Sequence, residues 1–162
     1  MKNTLARYRD LFRSMIEQNS PTPISNESRL HAAIIIQELV RSAKETVFIQ
    51  CSNLAPDVYG NSETIREISE AISRGVKFKV AVRGKSPQAK ALYEILADSS
   101  SSCIQLGTQV FTKDFCVVDG KRARVETDAV IGKAVASAYD EELGSLLNAI
   151  FNKALSQQMV DF

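Results

Sequence analysis

Four acidic side chains occur between residues 112 and 128, and their carboxylates could act together: Asp114, Asp119, Glu126 and Asp128. Oxygen ligands of this kind can hold a hard divalent cation that activates water. A structural explanation competes with this chemistry. Asp119-Gly120 is a common turn pair, and Asp119 can accept hydrogen bonds from turn amides. Glu126 also alternates with Arg122 and Arg124, as the solvent face of a strand does.

Nucleophiles and general acids are scarce in this chain. The one histidine, His31, lies far upstream of the acidic segment and is interpreted as a surface residue. Cys51, Cys103 and Cys116 form no Cys-x-x-Cys pair and occur in apolar segments. This pattern predicts buried, reduced thiols of a cytoplasmic protein rather than a zinc site. We expect no metal and no cofactor.

Composition restricts the classes of partner. The chain has 162 residues, enough for one domain with a real core, and it is 44% hydrophobic and 24% charged. Its net charge of +1 leaves nucleic-acid binding possible but does not indicate it. Its sequence offers no apolar stretch near the roughly 18 residues that a membrane span needs, so we expect no membrane partner.

Apolar spacing predicts the elements that position these groups. An amphipathic helix over residues 3–18 precedes a proline-containing linker over residues 19–26, and Asn26 or Ser25 can cap the next helix. The order of elements predicts an α/β fold with a sheet sandwiched between helices. The further elements are a helix over 27–44, a strand over 46–52, a helix capped by Asn61, strands over 76–82 and 103–107 flanking a helix over 87–98, a hairpin over 115–127, a strand near 130–137 and a helix capped by Asp140.

The segment TKDFCVVDGKRARVET, residues 112–127, resembles the signature of the phospholipase D superfamily. That family has His-x-Lys-x-x-x-x-Asp followed by Gly-Ser, and Asp119 stands at its aspartate. The segments VFIQCSN, TIREISEAISRGVKFKVAVRG and AYDEELGSLLNAIFNKAL also resemble the family, so the likeness covers roughly residues 28–156. It implies one half-unit of the family fold, a seven-stranded mixed sheet between helices. We accordingly divide the chain into an N-terminal helix, 1–20, and a phospholipase D-like domain, 27–158.

The reactive positions of this signature hold other residues: Thr112 replaces the histidine, Asp114 the lysine, and Glu126-Thr127 the Gly-Ser. Threonine needs a neighbouring base to attack, and a carboxylate repels a phosphate that the family's lysine would bind. A one-residue bulge that placed Lys113 at the lysine position would still leave no histidine. The chain is therefore predicted to be a pseudoenzyme without catalytic residues.

Other polar residues could form a residual pocket. Strand ends at one edge of an α/β sheet commonly bind small ligands, and a loop before a helix can bind anions. The candidate residues for ligand or anion binding are Ser52, Asn53, Arg83, Lys85 and Lys113.

Three functional hypotheses follow. The first is a non-catalytic, homodimeric binding or regulatory module, because active family members pair two signatures and this chain holds one; a monomer with a self-covered face is the alternative. The second is an unorthodox phosphodiesterase or nuclease, perhaps assisted by a metal. The third is an inhibitor or immunity-type protein that binds a partner through residues 1–20, although this helix could also pack on its own domain or swap across a dimer.

Overall fold

The structure is a computed structural model that describes residues 2–83, 90–97, 99, 101–105, 113–128 and 130–160. Two predicted site residues, Thr112 and Lys85, lie outside these ranges. The elements, numbered in chain order, are α1 (Lys2–Glu17), β1 (Ile24–Asn26), α2 (Arg29–Ser42), β2 (Thr46–Cys51), α3 (Ser62–Ser73), β3 (Lys77–Val82), α4 (Lys90–Ala97), β4 (Ser102–Gln105), β5 (Phe115–Val118), β6 (Arg122–Asp128), β7 (Lys133–Ser137) and α5 (Glu141–Val160).

The strands form one mixed sheet in the order β1-β7-β6-β5-β2-β3-β4. The neighbours β2, β3 and β4 run parallel, whereas every other adjacent pair is antiparallel. Apolar side chains of both sheet faces are buried, one set against α2, α3 and α4 and the other against α5. The predicted α/β fold, with a mixed sheet between helices, is confirmed.

Helix α2 lies at the centre of the larger core. All nine of its residues from Ala32 to Val40 are buried, because this segment is apolar on most sides of the helix. The predicted cap at Asn26 or Ser25 is wrong, since the Ser28 hydroxyl accepts the His31 amide at 3.3 Å instead. The Asn26 side chain instead points into the protein, where its Nδ2 donates hydrogen bonds to the carbonyl groups of Ser28 and Gly132.

Helix α1 packs on its own domain. Phe12, Met15 and Ile16 are buried in the core that contains α2. Arg13 holds both oxygens of Glu38, through an Nη2–Oε1 distance of 2.6 Å and an Nε–Oε2 distance of 3.0 Å. The Glu38 side chain is only 2% exposed, so these contacts with Arg13 of α1 compensate the burial of its carboxylate.

The edge strand β1 lies inside the segment that was predicted to be a linker. Ile24 pairs with Ala136 and Asn26 with Ala134, both in β7. A strand of three residues is too short to show an alternation of polar and apolar side chains, and its partner is distant in the chain.

The smaller core lies under α5. Asp140 caps this helix by accepting the Leu143 amide at 2.9 Å, as predicted. Phe151 of α5 stacks on Phe48 of β2, with 5.1 Å between the ring centroids. In the described part of the chain, neither α5 nor another helix is long and apolar enough to cross a membrane.

Candidate functional site

Asp114 lies beside the end of β2, where its carboxylate is bound by Ser52. The Ser52 amide and hydroxyl both donate to Asp114 Oδ1, each at 2.9 Å. This contact arises because β2 and β5 are antiparallel and pair Gln50 with Phe115, which brings the end of one strand to the start of the other. Two predicted site residues are thus brought together, but as partners of each other.

Glu126 lies across from Asp114 on β6. Its amide donates to the Asp114 carbonyl at 2.9 Å, which places the two side chains on one face of the sheet. Burial, followed by a hydrogen bond with the Asp114 carboxylate, raises the pKa of Glu126 to about 7 from 4.5. Glu126 is therefore partly protonated at neutral pH, beside Asp114.

Arg124 is the cation of this cluster, and the sequence interpretation missed it. Its Nη2 lies 3.5 Å from Glu126 Oε1 and donates to the Gly132 carbonyl at 3.1 Å, while its Nε donates to Asn26 Oδ1 at 2.8 Å. Only 5% of Arg124 is exposed. The guanidinium group therefore points into the protein and already contacts three acceptors.

The prediction that Arg122 and Arg124 lie on a solvent-exposed face of β6 is wrong. Arg122 pairs with Val118 and Arg124 with Cys116, so both arginines share the sheet face of the larger core. Alternation along β6 correctly groups them with Glu126, but the face they share is the one that α2 covers.

The cavity beside this cluster is small. It has a volume of about 20 Å³ and is lined by the end of β2, the loop after it, Asp114, Arg124 and Glu126. This space suffices for about one water molecule and is far below the several hundred Å³ of ordinary ligand pockets. Gln50 Oε1 is buried here without a hydrogen-bond partner among the described residues.

Asp119 lies at the opposite end of β2 from Asp114. Its Oδ2 accepts the Lys44 amide at 2.9 Å, and its Oδ1 accepts the amides of Glu45 and Thr46 at 2.8 and 2.9 Å. The length of β2 therefore separates Asp119 from the other acids, and the group of four carboxylates does not form. Within the described ranges, no three His, Cys, Asp or Glu side chains are close enough to bind a metal together.

The remaining candidate residues are dispersed. Asn53 is exposed and lines the small cavity, whereas Lys113 is exposed and its carbonyl accepts the Gln50 amide group at 3.3 Å. Arg83 is exposed, and its backbone amide donates to the Cys51 carbonyl at 3.0 Å. The Thr127 hydroxyl donates to the Lys133 carbonyl at 3.2 Å.

The thiol of Cys116, which pairs with Arg124 across the sheet, is chemically protected. Cys116 is buried on β5. Burial raises the pKa of its thiol to about 12, because the effect of burial is larger than the opposing effect of the Arg124 charge. A nucleophilic thiolate at neutral pH is therefore strongly disfavoured. Cys51 is also buried and is not in a disulfide.

The raised pKa of Glu126 predicts a pH dependence of stability. A group whose pKa is higher in the folded state stabilises fully below its unfolded value, here near 4.5, and this stabilisation is lost as the pH rises through about 7. Urea unfolding followed from about pH 5 to about pH 8 should show that loss in the wild type, and Glu126→Gln, whose amide stays neutral, should reduce it. The exposed Glu142→Gln is the control. Parallel profiles for wild type and Glu126→Gln would contradict this assignment.

Neither a protein-family model nor a curated protein sequence matches this chain. Solved structures do match it. TrmBL2, described as an archaeal chromatin protein with a novel mode of DNA binding, has a TM-score of 0.67 and 14% identity. The match covers 96% of this chain and 60% of TrmBL2, so this chain corresponds to less than two thirds of that protein.

Two further solved structures also match. Nuc from Salmonella typhimurium, described as a phospholipase D family member, has a TM-score of 0.59, 17% identity and coverage of 84% of this chain and 96% of Nuc. NucT from Helicobacter pylori has a TM-score of 0.60, 13% identity and coverage of 83% and 96%. At these identities the comparisons show a phospholipase D-like fold.

Proposed function

We propose that this protein is a non-catalytic, phospholipase D-like binding or regulatory module. The observation that carries the proposal is the engagement of Asp114 by Ser52 and Glu126, at the position where the resembling family has a phosphate-binding lysine. A catalytic phosphodiesterase needs cations and proton donors directed at the phosphate. Here the acid is directed at neighbouring protein groups.

Electrostatics and size both oppose phosphate binding at this site. A phosphate oxygen about 4 Å from a carboxylate is repelled by about 4 kcal/mol at the effective dielectric constant of a protein surface. The compensating cation, Arg124, is buried and already binds Asn26, Gly132 and Glu126. The cavity of about 20 Å³ would also have to open before a phosphodiester could enter.

The proposal predicts no phosphodiesterase activity. Purified protein should not hydrolyse bis(p-nitrophenyl) phosphate, single-stranded DNA or duplex DNA above the buffer blank, with or without Mg²⁺ or Mn²⁺. Metal-dependent cleavage that Asp114→Asn abolishes, and that Asp128→Asn at an exposed position of β6 preserves, would overturn the proposal in favour of an unorthodox phosphodiesterase.

We further propose that the module is a homodimer. An exposed apolar patch lies at the turn between β6 and β7 and on β7, where Val130 is 80%, Ile131 51% and Val135 41% exposed. Such a patch is typical of protein contact surfaces. It lies at the Glu126 end of β6, because Glu126 pairs with Ala134 and the turn follows Asp128.

Light scattering coupled to size-exclusion chromatography tests this assembly. The wild type should elute with the mass of a dimer, and Ile131→Asp should shift it to the monomer because a buried, unpaired charge opposes association. Leu146→Asp on α5, where the leucine is 57% exposed, serves as the matched control. A monomeric wild type, or a dimer that only Leu146→Asp dissociates, would contradict the proposed interface.

A further inference from the structure

A second concave surface lies at the opposite end of β2 from Asp114, between the ends of α1 and α2 and the turn from β5 to β6. We call it the distal groove. It has a volume of about 420 Å³, which falls in the range of small-molecule sites and far exceeds the 20 Å³ beside Asp114. Its cationic residues are Arg13, Arg41, Lys44, Lys121 and Arg122.

Arg122 supplies a donor that the described residues leave unused. Only 8% of Arg122 is exposed, yet its Nε has no acceptor among them. Its Nη2 donates to Asn19 Oδ1 at 3.3 Å. Burial lowers the pKa of this guanidinium, against the opposing influence of Asp119 and Tyr139. An anion in the groove would restore the favourable interactions that burial removes.

Three other cations of the groove, Arg41, Lys44 and Lys121, are not needed to bind the carbonyl groups at the end of α2. Arg41 lies in the last turn of α2, where a cation often interacts with terminal carbonyls. Those carbonyls already accept hydrogen bonds from Arg74 Nη2, which contacts Val40, Arg41 and Ala43 at 3.1 to 3.2 Å. Arg41, Lys44 and Lys121 form no ion pair within the part of the chain that the structure describes.

The two acids that line the groove do not cancel this charge. Glu38 is buried and neutralised by Arg9 and Arg13, at 3.1 and 2.6 Å. Glu17 is exposed to solvent, where its interaction with the cations is screened. Asp119, which lies near Arg122, is already the acceptor of three backbone amides. The groove therefore keeps an excess of positive charge.

We propose that the distal groove binds a small ligand that carries phosphate groups. Several cations that converge on one concavity match a compact group with two or more negative charges, and lysine and arginine are the usual donors to phosphate oxygens. A nucleic-acid backbone would instead favour a long basic surface, whereas the whole chain carries only +1. This proposal does not depend on the absence of catalysis at Asp114.

Isothermal titration calorimetry with inorganic pyrophosphate and inorganic phosphate, at low ionic strength, tests this site. Pyrophosphate should bind with one site per chain and at least about tenfold more tightly than phosphate, because it carries more charge. Lys44→Ala and Lys121→Ala should each weaken pyrophosphate binding about tenfold, the loss expected for one charge-assisted hydrogen bond. Lys153→Ala is the matched control, since this exposed lysine lies on α5 and does not line the groove.

Each alternative outcome is distinguishable. No binding heat with millimolar pyrophosphate, or equal weakening by Lys153→Ala, would overturn the proposal. So would a single-stranded oligonucleotide that binds more tightly than pyrophosphate with a steep salt dependence, because that result would indicate a nucleic-acid surface. Unchanged thermal unfolding of the lysine variants would show that a loss of affinity is not a loss of fold. Arg122→Lys, which retains charge but not the Nε donor, should weaken binding less than Lys44→Ala.

Discussion

The Gly144→Ala variant is expected to lose about 3 kcal/mol or more of unfolding free energy. Gly144 lies in the first turn of α5, where its amide donates to the Asp140 carbonyl at 3.0 Å. A Cβ at this position would collide with the Gly120 carbonyl group and lie 2.8 Å from the Lys121 nitrogen. Both neighbours are backbone atoms of the turn between β5 and β6, so no side-chain rotation can relieve the contact.

Alanine favours a helix over glycine by about 0.5–1 kcal/mol, which is too little to offset this collision. Relief requires α5 to move off the turn, and that movement would expose Leu147 and Phe151 of the smaller core. Urea unfolding monitored by circular dichroism measures the loss.

Gly75→Ala is the control for the loss of a glycine without a collision. A Cβ there meets no atom within 4 Å, so only its left-handed φ of +92° opposes the change, at about 1–2 kcal/mol. If Gly144→Ala destabilised the protein no more than Gly75→Ala, the close approach of α5 to the turn would be contradicted.

The Asp119→Ala variant is expected to lose about 3 kcal/mol of unfolding free energy. Its carboxylate accepts the amides of Lys44, Glu45 and Thr46, and thereby joins the loop before β2 to the end of β5. Hydrogen bonds to a charged acceptor stabilise by about 1.5–3 kcal/mol each. Because the site is half-buried, water can bind the three amides in the variant and reduce the total loss. Asp119 also has a φ of +53°, a conformation that aspartate and asparagine tolerate better than alanine.

Asp119→Asn separates these contributions, because asparagine keeps the backbone preference and one acceptor oxygen but loses the charge. Its unfolding free energy should lie between those of the wild type and Asp119→Ala. A loss below about 1 kcal/mol for Asp119→Ala would show that the three amides are adequately solvated without the carboxylate. The expected result would show that this position of the signature stabilises the fold.

Most of the fold could be predicted from local sequence. The helix predicted over 27–44 and the cap residues Asn61 and Asp140 depend on patterns of a few residues, and the structure confirms each of them. The mixed character of the sheet was predicted from the resemblance of residues 112–127 to a known signature. Strand β1 was not predicted, because only its pairing with β7 makes those residues a strand.

The candidate site was predictable in its chemical types but not in its partners. The residues alone indicate that the histidine and lysine of the signature are replaced and that Asp114 brings negative charge. Alternation along β6 also groups Glu126 with Arg124, but it does not say which sheet face the helices cover. The distal groove was equally hidden, because Lys44 and Lys121 are far apart in sequence and meet only where β2 begins and β5 ends.

By itself, therefore, the sequence determined the helices, the strands other than β1, the fold class and the absence of the signature's reactive groups, since these depend on residue type and short-range spacing. Only the tertiary structure decided that Ser52 binds Asp114, that Asp119 holds the amides before β2, and that Arg122 and Arg124 are buried. The physical reason is that a side chain's charge state and partners depend on burial and on contacts between strands that are distant along the chain.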